Sequence, residues 1–136
     1  MHLPLSVSYR DLCNDILDLD GIRSAAVITM EGTILFSSYK EGIHPLLSVQ
    51  EDEASIFRAA IRMGTRKEFL DKLGGINYAF AEYGKINQYT IPLNKEVKTL
   101  LLVSEDRPQH DKNTDNHNVL VSVGRILQVL MKHCER

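Results

Sequence analysis

The spacing of apolar positions predicts three main helices. The first covers residues 8–20, with Ser8 as its N-cap. The second covers residues 51–64, with acidic residues in its first turn, where they favour the helix dipole. The third, residues 118–134, is apolar around most of its circumference, so we expect it to pack against more than one neighbour. The predicted apolar stripe of the second helix is Ala54, Phe57, Ala60, Ile61 and Gly64.

Alternating and continuous apolar runs between these helices predict five strands. Two β-prone runs flank Glu31-Gly32, and a glycine there suits a tight hairpin turn. Segments 76–83, 86–93 and 97–104 follow as an antiparallel meander. Pro92 cannot donate to a sheet ladder, so we expect it at a strand end or at a bulge.

The resulting order, α-β-β-α-β-β-β-α, predicts an α/β (α+β) fold. We expect one domain over residues 1–136, with a central five-stranded antiparallel sheet and helices on both of its faces. Residues 39–50 are interpreted as a connection, and residues 105–117, which contain no apolar residue, as a solvent-exposed loop. A short helical turn within residues 65–75 is expected to end at Gly74-Gly75.

Composition narrows the classes of function. The chain has 136 residues, of which 43% are hydrophobic and 25% charged, which is typical of a globular domain. Its net charge of −2 provides no global field for nucleic acid or for an anionic membrane. No apolar run approaches a bilayer span, and the first residues lack the core of a secretory signal, so a cytoplasmic location is expected.

The polar loop contains one pattern that resembles a cation site. Asp111-x-Asn113-x-Asp115 matches the first ligand positions of an EF-hand loop. The sixth position is Asn116 rather than glycine and the twelfth is Ser122 rather than glutamate, so an Asx-rich turn that caps the last helix is the better interpretation. We therefore expect no metal ion there.

The histidines and cysteines do not have the spacing of a ligand set or of a catalytic group. His110, His117 and His133 are too scattered for a compact zinc site. Cys13 and Cys134 form no CxxC pair and lie at apolar helix positions, which indicates buried thiols, with a disulfide between the two helices as the alternative. Nucleophile-elbow, P-loop, dinucleotide-binding and zinc-protease motifs are missing, so no catalytic residue and no cofactor are predicted.

One local basic stripe remains as a candidate partner site. Arg58, Arg62 and Arg66 recur every four residues along the second helix. They indicate either a solvated helix face, with Glu51, Asp52 and Glu68 as ion-pair partners, or a docking surface for an acidic partner. The strand aromatics Tyr78, Phe80, Tyr83 and Tyr89 could stack on RNA bases, but they lack interleaved basic residues, so nucleic acid is not expected as a partner.

The order of elements resembles the roadblock/dynein light-chain family, whose wider relatives are profilin-like and longin-like domains. The local similarity is strongest in Leu19-Asp20-Gly21-Ile22 running into AAVITMEGTILFSS, and in KINQYTIPLNKEVKTLLLVSED. The connection 39–50 and the polar loop 105–117 are longer than the family usually has. The match also extends to small prokaryotic single-domain proteins of the same layout.

The resemblance implies a non-enzymatic homodimer that acts as a scaffold or regulator of a partner such as a small GTPase. It implies that strand 76–83, through Ile76, Tyr78, Phe80 and Glu82, is the dimer edge, and that the second helix packs beside its counterpart. The alternative is a small-molecule sensor of the PAS or GAF type, with a cavity beside the sheet lined by Ala25, Ala26, Ala79 and Ala81. An enzyme with a co-purifying cofactor is the third and weakest interpretation.

Overall fold

The computed structural model describes residues 8–107 and 119–133, except for the side chains of 119–121. Within these ranges the chain forms four helices and five strands. They are α1 (Tyr9–Leu17), β1 (Ile22–Thr29), β2 (Ile34–Tyr39), α2 (Val49–Lys67), α3 (Leu70–Leu73), β3 (Ala79–Glu82), β4 (Ile86–Pro92), β5 (Thr99–Asp106) and α4 (Val119–His133).

The strands form one antiparallel sheet in the order β2-β1-β5-β4-β3. Both predicted hairpin units are present, and β1 and β5 pair at the centre through residues 22–29 and 99–105. The continuous apolar character of both strands indicated this central position, because a strand covered on both faces has no polar side. Among the described residues, β2 and β3 are the two edge strands of the sheet, and neither edge is paired with a further strand.

Helices α1 and α4 cover one face of the sheet. Their buried side chains pack on alternate residues of β1, β4 and β5, and the largest of these are fully buried: Leu12, Ile16, Tyr89, Ile91, Leu101, Ile126 and Leu130. Helix α2 lies on the opposite face, where Ile56, Ala60 and Met63 pack against Ile28 and Leu100. The prediction of helices on both faces is therefore confirmed.

Local capping explains where the first two predicted helices begin. The Ser8 hydroxyl accepts a hydrogen bond from the Asp11 N–H at 3.2 Å, which confirms the predicted cap of α1. Helix α2 begins earlier than predicted, because Ser48 and Glu51 form a reciprocal capping box. The Ser48 hydroxyl accepts from the Glu51 N–H at 3.1 Å, and the Glu51 carboxylate accepts from the Ser48 N–H at 3.0 Å.

The predicted apolar stripe of α2 is partly wrong. Ala60 is buried as expected, but the sheet covers Ile56, Ala59 and Met63, whereas Phe57 and Ile61 are each about half exposed. Two adjacent stripes of this helix are apolar, and helical periodicity alone does not decide which of them faces the sheet. Phe57 instead lies against Gly32 in the β1–β2 turn, where a φ of +86° requires glycine.

Strand β3 is shorter than the predicted strand 76–83, because Pro92 ends its ladder. Pairing runs from Glu82 opposite Asn87 to Ala79 opposite Thr90. The next hydrogen-bonded position would place Asn77 opposite Pro92, which has no N–H to donate. Pro92 is the last residue of β4, at the strand end where the sequence predicted it.

Candidate interaction interface

The open edge of β3 offers unpaired backbone groups. The Tyr83 N–H donates to the Ile86 carbonyl at 2.8 Å, so these two residues form a hydrogen-bonded pair. Hydrogen-bonded and non-hydrogen-bonded pairs alternate along an antiparallel ladder, so Ala81 also directs its backbone groups toward β4. The N–H and C=O groups of Phe80 and Glu82 consequently point away from the sheet, where another strand can pair with them.

The four residues predicted for the dimer edge divide into two groups. Ile76 and Tyr78 precede the strand and pack on opposite sides of the sheet, against the α2 cluster and the α1/α4 cluster respectively. Phe80 and Glu82 lie on the edge strand itself. The Phe80 ring is 38% exposed and contacts the ring of Tyr89, with 5.6 Å between centroids.

An ion pair holds the end of β3 to the end of β5. The Arg107 guanidinium lies 3.0 Å from the Glu82 carboxylate and also donates to the Tyr83 carbonyl at 2.8 Å. These contacts fix the strand whose outer edge is open. Arg107, just after β5, therefore helps to hold β3 in place with its outer edge accessible.

The three arginines of the basic stripe are all exposed on α2. Among the residues that the structure describes, none of Arg58, Arg62 and Arg66 forms an ion pair, so the predicted intrahelical pairing is not observed. Glu51 is occupied by the capping box, and its hydrogen bonds with Ser48 lower the pKa of its carboxyl group. The arginine stripe is consequently a surface of uncompensated positive charge.

A cleft separates the first half of α2 from the sheet. It has a volume of about 90 Å³ and lies beneath Asp52, Ser55 and Ala59. Hydroxyl groups line its floor, and two of them, on Ser24 and Ser104, are hydrogen-bonded to each other across β1 and β5. The cleft therefore combines these hydroxyl groups with a mostly apolar lining.

Asp52 is the acidic group of this cleft. Burial raises the pKa of Asp52 above its ordinary value and outweighs the opposite effect of the neighbouring Tyr39 hydroxyl. Burial, with Asp52 beside it, likewise raises the pKa of Tyr39. Arg23, also in the lining, pairs with Asp106 at 2.8 Å and donates to the His44 carbonyl. Among the described residues, no cation forms an ion pair with Asp52.

The cleft is small for the sensor alternative. Ala25 and Ala26 line it as that interpretation predicted, but Ala79 and Ala81 do not. Sites for small organic ligands usually enclose about 300–1,000 Å³. A volume of about 90 Å³ lies well below that range.

A buried polar cluster beneath α4 was missed by the sequence analysis. Glu105, predicted in an exposed loop, lies in β5 and is only 4% exposed. Its carboxylate accepts from the Tyr89 hydroxyl at 2.9 Å and from the Asn87 amide at 3.2 Å. Ser122 on α4 is also buried and hydrogen-bonds with Tyr89. Tyr89 is fully buried, so it cannot stack on a nucleic-acid base.

The remaining candidate groups show no catalytic arrangement in the described ranges. Cys13 is a buried free thiol, and burial raises its pKa to about 12, which opposes formation of a reactive thiolate. His133 pairs with Asp15 at 2.7 Å and links α4 to α1. No three His, Cys, Asp or Glu side chains in the described ranges converge as metal ligands. His110, His117, Cys134 and the Asp111–Asp115 pattern lie outside those ranges.

None of the helices in the described part of the chain has both the length and the hydropathy that a bilayer span requires. No protein-family model matches the chain. No curated protein matches its sequence.

The fold is that of roadblock/LC7 domains, as the order of elements predicted. The chain is similar to a roadblock/LC7 domain from Streptomyces avermitilis, with a TM-score of 0.63, 11% identity, and coverage of 93% of this chain and 94% of that one. It is also similar to the gliding protein MglB from Thermus thermophilus, with a TM-score of 0.64, 14% identity, and coverage of 97% and 95%.

A third solved structure is described as MglB with a tetrameric arrangement. Its TM-score is 0.63 at 15% identity, with coverage of 97% of this chain and 94% of that one. Together these likenesses span nearly the whole length of both partners in each comparison. They confirm the predicted fold.

Proposed function

We propose that this chain is a non-enzymatic interaction module that forms a homodimer through β3 and α2. The open edge of β3, next to a half-covered sheet face, carries this proposal. Ala81, Gln88 and Thr90 on that face are only half buried. A second copy that extends the sheet at β3 would place its own α2 over this strip, beside the first α2. The tetrameric arrangement named for one similar structure accords with self-association of this fold.

The dimer presents the arginine stripe to a further protein. Arg58, Arg62 and Arg66 favour an acidic surface, and the family resemblance suggests that of a small GTPase. The expected location is the cytoplasm. A pull-down from native lysate, followed by mass spectrometry, would identify this partner, and Arg58→Glu is expected to reduce its recovery.

Sedimentation velocity with proline variants tests the dimer edge. Glu82→Pro removes an N–H that points away from β4, so it blocks pairing with a second copy while the internal ladder remains. Glu82→Ala is the matched control, because it removes the Glu82–Arg107 ion pair but keeps the N–H. We expect the wild type and Glu82→Ala to sediment as dimers at micromolar concentration, and Glu82→Pro as a monomer.

The other edge of the sheet supplies a second control. The Lys40 N–H donates to the Arg23 carbonyl at 2.8 Å, so by alternation the N–H of Ser37 points away from β1. Ser37→Pro should leave the dimer intact. A monomeric wild type, or a dimer lost with Ser37→Pro and kept with Glu82→Pro, would contradict the proposed interface.

A further inference from the structure

The charges of α2 are segregated along its length. The acidic residues Glu51, Asp52 and Glu53 lie near the start of the helix, and the cations Arg58, Arg62, Arg66 and Lys67 lie in its second half. Glu51 is committed to the capping box, whereas Asp52 lacks a cation among the described residues. A partly buried carboxylate and a set of unpaired arginines on one helix are complementary to the same helix in an inverted orientation.

One flank of α2 carries both the acidic and the basic side chains that such an antiparallel contact requires. Asp52, Ser55 and Ala59 face the cleft beside β4. Helical geometry continues the same line through positions 62 and 66, because alternating steps of three and four residues stay on one side of a helix. The flank therefore consists of Asp52, Ser55, Ala59, Arg62 and Arg66.

Orientation and register follow from this spacing. Two parallel helices would place Arg62 next to Arg62, so attraction requires an antiparallel pair. The residues of this flank are spaced alternately by three and four positions, so two antiparallel copies of the flank can pack with their residues facing each other. In that arrangement Asp52 of one copy lies opposite Arg62 of the other. Ser55 then lies opposite Ala59, and these small side chains allow the two helices to approach closely.

We propose that Asp52, in its hydroxyl-lined cleft, receives the guanidinium of Arg62 from a second copy of this chain. The twofold axis makes the contact reciprocal, so each dimer contains two such pairs. This inference rests on the proposed homodimer and assigns the charge pair that sets its register. It also places Arg62 in the subunit contact, so Arg62 is no longer part of the arginine surface that the dimer offers to a further protein. The pair also accounts for a carboxylate that lies beside the Tyr39 hydroxyl and forms no ion pair with any described residue.

Complementation between two charge-reversed variants tests the pair. Asp52→Arg alone places two arginines at each contact, and Arg62→Asp alone places two aspartates there. Each variant is expected to dimerise at least about tenfold more weakly than wild type, since both attractive pairs become repulsive. An equimolar mixture restores an opposite pair at both contacts, so native mass spectrometry should show the heterodimer in large excess over either homodimer.

Matched controls separate this pair from general charge effects. Arg58→Asp and Arg66→Asp make the same change one turn before and one turn after Arg62, and neither should complement Asp52→Arg. Circular dichroism checks that every variant folds. If Asp52→Arg does not fold, Asp52→Asn keeps the side-chain shape and should still weaken dimerisation.

The possible failures are distinguishable. A wild type that is monomeric throughout the concentration series would remove the homodimer and this inference together. A wild-type dimer with unchanged association of folded Asp52→Arg or, if that variant does not fold, of Asp52→Asn would overturn the Asp52–Arg62 pair and leave the homodimer standing. Complementation of Asp52→Arg by Arg66→Asp instead of Arg62→Asp would overturn the register.

Discussion

Replacing Tyr89 with phenylalanine removes the hydroxyl group that hydrogen-bonds with Glu105 and Ser122 in the buried cluster that ties β4 to β5. The Tyr89 hydroxyl donates to the Glu105 carboxylate at 2.9 Å, and neither residue is more than 4% exposed. The ring itself remains in the variant, so its contact with Phe80 persists and no large cavity forms. The Asn87 amide still donates to Glu105.

The expected loss of stability follows from these contacts. A hydrogen bond to a charged group contributes about 1.5–3 kcal/mol, so Tyr89→Phe should lower the free energy of unfolding by about 2 kcal/mol. An unfolding entropy of about 2.1 cal/mol/K per residue gives roughly 0.29 kcal/mol/K for 136 residues. The melting temperature should therefore fall by about 7 °C.

Urea denaturation at fixed protomer concentration measures this change, because association would otherwise contribute to the apparent stability. Tyr9→Phe is the control: Tyr9 is half buried on α1 and makes no side-chain hydrogen bond among the described residues. In a Glu105→Gln background the cost of Tyr89→Phe should drop to about 1 kcal/mol, the value for a neutral pair. A cost below about 0.5 kcal/mol, or one that is equal in both backgrounds, would refute the reasoning.

Three further variants probe other parts of the fold. Burial raises the pKa of Asp52, so ionisation of this carboxyl group costs stability as the pH rises through that pKa. Asp52→Asn, studied as a monomer, should therefore unfold at a higher urea concentration than wild type at pH 7. This advantage should disappear at a pH below the ordinary pKa range of aspartate. Gly32→Ala should cost about 1–2 kcal/mol in urea denaturation because of its positive φ, whereas Gly84→Ala, with an open Cβ position, should be nearly neutral. In a variant without the other cysteine, Cys13 should react with a thiol reagent at pH 8 only after denaturation, and rapid labelling of the native protein would contradict its burial.

Sequence patterns predicted the fold well wherever local chemistry sets the structure. The Gly32 turn, the Ser8 cap and the position of Pro92 each depend on one residue type with one backbone property. The capping box at Ser48 was also visible as a Ser-x-x-Glu spacing, and it would have corrected the start of α2. The order of helices and strands could be predicted from these signals together with the periodicity of the apolar residues.

Features that depend on distant parts of the chain could not be predicted in this way. Glu105 is charged and follows an apolar run, so its burial depends on donors that come from β4. Similarly, the cleft around Asp52 is assembled from α2 and four strands, and only packing shows that this carboxylate is partly enclosed. The arginine stripe was predicted correctly as exposed, because helical spacing alone determines which residues share a face.

The two edge strands of the described sheet, β2 and β3, would give each copy in the proposed homodimer two places where another strand can pair. A twofold dimer joined at β3 consumes one end of each copy, so both outer ends of the joint sheet are β2 strands. The sequence of β2, Ile-Leu-Phe-Ser-Ser-Tyr, contains neither a charge nor a proline, which are the usual protections of a sheet edge. Growth beyond the dimer would consequently begin at β2, and whether the protein forms a closed particle or a fibre depends on what occupies that strand.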